Sequence, residues 1–287
     1  MKIVFVIGAA RSGTHLVGSS INKVVGDSYY LAEINEFWNK YNSSKIDSFD
    51  LSKLTEEKLE KLRFDFLCLA PKSSSLIIEK TASNSLRVDL LAKLFPEAYF
   101  INIVRNGNDV VESVVRKIEG NPNKITAIGQ KRKVGFFERV AFYCHRSKEK
   151  IFSSTFDFKY FICNFSKYAL QSFDILGFKK TKKWGPIFSE EEYDNPIAFA
   201  AAQWSSCVTK SHNDFVGSGV KYLTVKFESI VSHPEVESER ISSFLEIDHN
   251  INWFDIKDGI RSEANMVYGD VSIEFKSAMN RLGYFCE

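Results

Sequence analysis

No apolar run in the 287-residue sequence approaches the ~18–20 residues needed to cross a bilayer. The N-terminal run "IVFVIGAA" is short and breaks at Arg11. It lacks the basic leader and longer apolar core of a signal peptide, so a soluble, cytoplasmic protein is expected. Cysteines are few and scattered: Cys68, Cys144, Cys163, Cys207 and Cys286, with no CxxC pair. That pattern argues against a disulfide framework and a structural zinc site, and for a reducing compartment. The five histidines show neither HxxxH nor HExxH spacing, so nothing in the sequence supports metal catalysis. An excess of one charge is also missing. A formal net charge of +2 gives no support for general nucleic-acid binding, which needs a strongly basic face. Internal repeats, low-complexity tracts and clear linkers are absent as well.

What is present is 44% hydrophobic residues, enough to bury a sizeable core. The stretch Lys2–Gly8, "KIVFVIG", is continuously apolar and branched, as a strand buried on both faces should be. The segment after it, "GTHLVGSSINKVV", has a helical period. Further strands are expected at Ser74–Thr81, Ala98–Arg105 and Lys221–Phe227. Helices are expected at Ser85–Phe95, Gly107–Ile118, Asn195–Val216 and Pro234–Leu245. Alternation of apolar strands with helices predicts an α/β fold with a mainly parallel central sheet flanked by helices. Residues 117–183 break the pattern and are unusually aromatic. They read as an inserted helical region, a lid or acceptor-recognition surface, within a single domain of residues 1–287.

A strand, a glycine-containing turn and a helix start form a ready anion site, because the first helical amides lack intrahelical partners and the dipole favours negative charge. In "GAARSGTH", Gly8 and Gly13 permit close backbone approach, Ser12 and Thr14 offer hydroxyls, and Arg11 adds a permanent cation. Gly8 and Gly13 fit the G-x-x-x-x-G-K-[ST] nucleotide loop. Thr14 stands where that loop requires lysine, and His15 where it requires Ser or Thr. The loop thus suits a phosphate-like group without the kinase lysine and metal. A second anion site is expected at the end of the third strand, where Arg105 precedes a helix carrying Ser113. Asp109 reads as structural.

"RSGT" at Arg11–Thr14 and "R-x-G-x-D-V-V-x-S" at Arg105–Ser113 together resemble the signature pair of the sulfotransferase superfamily, which uses 3′-phosphoadenosine 5′-phosphosulfate (PAPS). Glu79–Arg105, Ala200–Val208 and Tyr222–Glu235 are also similar to it. The arginine of the first motif resembles the tyrosylprotein and bacterial carbohydrate branches. The resemblance implies a P-loop-like fold and PAPS as donor, with adenosine 3′,5′-bisphosphate (PAP) as product and no metal. It implies that Arg11, Ser12, Gly13, Thr14 and His15 hold the 5′-phosphosulfate and that Arg105 and Ser113 bind the 3′-phosphate. Lys80 matches a family lysine on the other side of the sulfate. Glu33 resembles the catalytic glutamate of the tyrosylprotein branch, with Glu36 and His15 as alternative bases. Asn84 reads as a helix cap, with ligand contact as the alternative. Trp184, Trp204 and Phe227 are aromatic candidates for adenine, a core role being the default for the last two, and Glu228 reads as structural. The implied partner is a small-molecule or glycan acceptor, a sugar or other hydroxylated metabolite first. Two other readings are a small-molecule kinase and a non-catalytic module that binds adenosine bisphosphate.

Overall fold

In the computed structural model, the residues described are 1–118, 184–191, 193, 195–248, 250–253 and 271–284. The chain divides into two units, Met1–Glu119 with Lys183–Glu287 and Gly120–Lys182. The described residues belong to the first, and the expected insertion lies outside them beyond Ile118. Among the described residues, five strands form one sheet: β1 (Lys2–Ile7), β2 (Ser28–Ala32), β3 (Leu76–Lys80), β4 (Tyr99–Val104) and β5 (Lys221–Lys226). Their order is β2-β3-β1-β4-β5 and every pairing is parallel. The expected parallel α/β architecture is therefore borne out, with one more strand than the four expected. The chain leaves β1 toward β2 and leaves β4 toward β5, in opposite directions along the sheet. Such a reversal opens a crevice at the carboxyl ends of β1 and β4, where open α/β sheets bind ligands.

Alternate residues of the strands face two apolar layers. Ile3, Phe5 and Ile7 pack with α3 (Glu56–Leu67) and α4 (Val88–Leu94) on one side of the sheet. Val4 and Val6 pack with α1 (Thr14–Val24), α7 (Phe227–Ser232) and α8 (Pro234–Leu245) on the other. Phe5 is fully buried, its ring 5.7, 5.5 and 5.3 Å from those of Phe66, Phe95 and Phe100. Burying one such side chain is worth about 1.5–3 kcal/mol. A third cluster joins α5 (Gly107–Ile118), α6 (Pro196–Ser218) and α9 (Ile273–Arg281).

Local chemistry sets the helix ends. Asn195 caps α6 by accepting from Ile197 N at 2.8 Å, Pro196 opens the helix, and Gly219 ends it at φ 67°. Thr55 caps α3 by accepting from Lys58 N at 3.3 Å, with Glu56 and Glu57 in the first turn. The helix expected at Ser85–Phe95 is two pieces, a 3₁₀ turn at Ala82–Leu86 and then α4. Within the turn, Ser83 and Asn84 donate to the buried carboxylates of Asp47 and Glu79. No helix among the described residues is long and apolar enough to cross a membrane.

Candidate active site

The loop from β1 to α1 is shaped by what lies against it. A Cβ on Gly8 would stand 2.5 Å from the carbonyl oxygen of Ile103. A Cβ on Gly13 would stand 2.3 Å from Cδ2 of Phe227. Gly13 holds φ 92° at the N-cap of α1, and Arg11 holds φ 71°, a left-handed conformation rare in a residue with a Cβ. Ser12 N donates to Ala9 O at 3.2 Å, and the first helical bond runs from Val17 N to Gly13 O at 3.3 Å. Thr14, His15 and Leu16 form the first turn of α1, whose amides point out of the helix N-terminus. Ser12 Oγ is buried with no hydrogen-bond partner among the described residues.

Arg105 follows β4, and its Nη1 donates to the carbonyl of Arg11 at 3.2 Å. Its guanidinium lies 4.7 Å from the centre of the Phe227 ring and 3.8 Å from the carboxylate of Asp109. Arg11 Nε in turn donates to Ser113 Oγ at 3.0 Å. The two sequence motifs, some ninety residues apart, therefore meet at one end of the sheet. Burial of the guanidinium first, then the positive charges of Arg105 and Arg116, push the Arg11 pKa down from its ordinary value. The residue as a whole is exposed, so the crowding is local to the guanidinium. An anion here would relieve that mutual repulsion.

Lys80 ends β3, 7% exposed, and its Nζ donates to Glu33 Oε1. Glu33 follows β2 directly, at φ 53°. Its amide donates to Lys80 O at 2.7 Å, and its second carboxylate oxygen accepts from Ala82 N at 3.4 Å. The expected base and the expected lysine are thus an ion pair at the carboxyl edge. Glu36 lies in α2 (Asn35–Asn39). His15 Nδ1 is 3.1 Å from the hydroxyl of Tyr30 on β2.

Other expectations resolve as packing. Phe227 underlies Gly13 and carries Arg105 on its ring, so it braces the loop. Trp204 is core, 5.0 Å from Phe275, and Trp184 is half-buried, its carbonyl held by Gln203 Nε2 at 2.7 Å. Glu228 is structural: it accepts from Asn106 N at 2.8 Å and from the Tyr284 hydroxyl at 2.7 Å. Asn84 is not a cap, because its side chain points inward to Glu79. The sequence reading missed Glu79 itself, fully buried beside Lys80. The only signal was a carboxylate in a strand otherwise buried on both faces.

Residues 28–152 match a family model described as "Sulfotransferase family". That span includes Glu33, Lys80, Arg105 and Ser113. No curated protein sequence matches the chain significantly. The sulfotransferase domain of the Synechococcus PCC 7002 olefin synthase is similar in structure, with a TM-score of 0.52 and 16% identity over 99% of this chain and 95% of that one. The sulfotransferase domain from the curacin biosynthetic pathway is similar too, with a TM-score of 0.56 and 11% identity over 100% of this chain and 99% of that one. At these identities the likeness is one of fold. The superfamily resemblance read from the two motifs is borne out, and sulfuryl transfer is the class of reaction that the family match supports.

Proposed function

We propose that the protein is a PAPS-dependent sulfotransferase acting on the hydroxyl of a small-molecule or glycan acceptor, a sugar or other hydroxylated metabolite first. The observation that carries this reading is the meeting of Arg11, Ser113 and Arg105 around the β1–α1 loop, on the sheet edge that also bears the Lys80–Glu33 pair. The residues fit such a donor. Ser12 Oγ is a buried hydroxyl without a partner among the described residues, Gly8 and Gly13 let the loop pack directly on Ile103 and Phe227, and two arginines crowd one another.

PAPS supplies the sulfuryl group, whose bond to the 5′-phosphate oxygen breaks as the acceptor oxygen bonds to sulfur. Arg11, Ser12 and the amides of Gly13, Thr14 and His15 would hold the 5′-phosphosulfate and stabilise charge on the leaving phosphate. Arg105 and Ser113 would hold the 3′-phosphate. Lys80 would place a cation against the sulfonate oxygens. Glu33 would take the acceptor's proton, its carboxylate set beside Lys80 in an ion pair. The positions of these groups on rigid strand ends serve in-line transfer through orientation and charge stabilisation.

The test is an acceptor library incubated with labelled PAPS and read by mass spectrometry. A sulfate adduct, with PAP formed in equal amount, is the expected result. Glu33→Gln is expected to lose about 10²–10⁴-fold in rate while keeping PAP affinity within two-fold by calorimetry. PAP binding with no adduct from any acceptor would favour the non-catalytic reading, and ATP-dependent phosphorylation would favour the kinase.

A further inference from the structure

Glu79 is a fully buried carboxylate that the chemistry above leaves without a task. It is tied to donors in three places. Trp38 Nε1 of α2 donates to its Oε1 at 3.4 Å, and Asn84 Nδ2 of the 3₁₀ turn donates to its Oε2. The hydroxyl of Thr81, itself fully buried, donates to Oε1 at 2.5 Å.

A threonine hydroxyl has one hydrogen. Once it is given to Glu79, Thr81 Oγ1 presents only lone pairs elsewhere, and one of these accepts from Ile34 N at 2.9 Å. That N–H belongs to the peptide joining Glu33 to Ile34. Glu33 sits in the left-handed region at φ 53°, which a glutamate does not adopt by preference. The turn is held by three contacts: Glu33 N to Lys80 O, Ile34 N to Thr81 Oγ1, and Ala82 N to Glu33 Oε2. Of these, only the Ile34 contact depends on which way a side-chain hydroxyl points.

We propose that Glu79 is a positioning residue: by claiming the Thr81 hydroxyl hydrogen, it makes Thr81 an acceptor for Ile34 N–H and so fixes the turn that aims Glu33. This rests on the reading of Glu33 as the base. The amide introduced by Glu79→Gln can present a donor to Thr81 Oγ1, which frees the hydroxyl hydrogen to turn against Ile34.

The experiment uses the full chain and three variants, Thr81→Val, Thr81→Ser and Glu79→Gln. Two readouts are taken: amide exchange at Ile34 by NMR without donor, and kcat with KM for PAPS. Thr81→Val is expected to speed Ile34 exchange at least ten-fold and to lower kcat at least ten-fold, with KM for PAPS within two-fold. Thr81→Ser, which restores the hydroxyl, is expected to return both readouts to within about three-fold of the parent. Glu79→Gln is expected to repeat the Thr81→Val pattern, and the two substitutions combined should lose no more than Thr81→Val alone. Unchanged Ile34 exchange in Thr81→Val or in Glu79→Gln would overturn the proposal, as would losses that multiply in the double variant. A parent protein that transfers no sulfuryl group would refute the proposed function, and the exchange readout would still decide whether Glu79 holds this turn.

Discussion

At the residue scale, Glu79 is a carboxylate fully buried in the sheet. Burial pushes its carboxyl up to about 7, against the opposing help of the hydrogen bonds from Thr81 and Trp38 and the charge of Arg87. The neighbouring charge of Glu33 adds to the rise. The folded-state value lies above the unfolded one, so the folded protein binds the proton more tightly. Stability is then fully present below the unfolded value and declines as pH rises through about 7. Wild type is expected to lose melting temperature between pH 5 and pH 8.5 relative to Glu79→Gln, by an amount on the order of a few kcal/mol in unfolding free energy. Parallel slopes for the two proteins in calorimetry would contradict it.

At the element scale, the β1–α1 loop depends on Phe227, the first residue of α7, as much as on its own glycines. Gly13 has φ 92° and no room for a Cβ against that ring. Gly13→Ala is expected to destabilise the fold by about 1–3 kcal/mol from backbone strain alone and to weaken PAP binding at least ten-fold. Chemical denaturation and calorimetry check the two effects separately. An alanine that left both unchanged would mean the loop is soft. The elements themselves were legible unevenly. β1, β3 and β4 announce themselves because they are buried on both faces and carry runs of branched or aromatic apolar residues. β2 escaped notice because it is an edge strand in which only Leu31 is buried, so its sequence carries neither an apolar run nor a clean alternation. The charged run of α3 hides a helix that buries only Leu59, Leu62 and Phe66. Arg11 and Arg105 could be read because each sits in a local glycine motif. Glu79 could not, because its role is set by Trp38 and by the Thr81–Ile34 contact, which pair residues more than forty positions apart.

At the scale of the whole molecule, the proposed donor site draws on the first loop, the end of β4 and the start of α7, so a ligand there clamps distant parts of the chain together. PAP at about 100 times its Kd is expected to add roughly 2.7 kcal/mol to stability and raise Tm by about 5–10 °C. The same concentration should give less than half that rise in Arg105→Ala. A thermal scan without any shift for the parent would place the donor elsewhere. A second long-range clamp is Asp47, 1% exposed, which accepts from Asn35 Nδ2 at 3.0 Å, Ser83 Oγ at 2.7 Å and Ile187 N at 2.7 Å, and lies 3.5 Å from the guanidinium of Arg87.

The ring beneath Gly13 also dictates an order of events during synthesis. The first strand and its loop leave the ribosome early, yet the floor on which they rest is encoded more than two hundred residues later. Until β5 has docked and delivered Phe227, the loop has nothing to lean on and Arg105 has no aromatic seat. A nascent chain halted before that point carries both arginine motifs complete in sequence and still lacks the ring beneath the loop, so the proposed donor site would be complete only once β5 has docked.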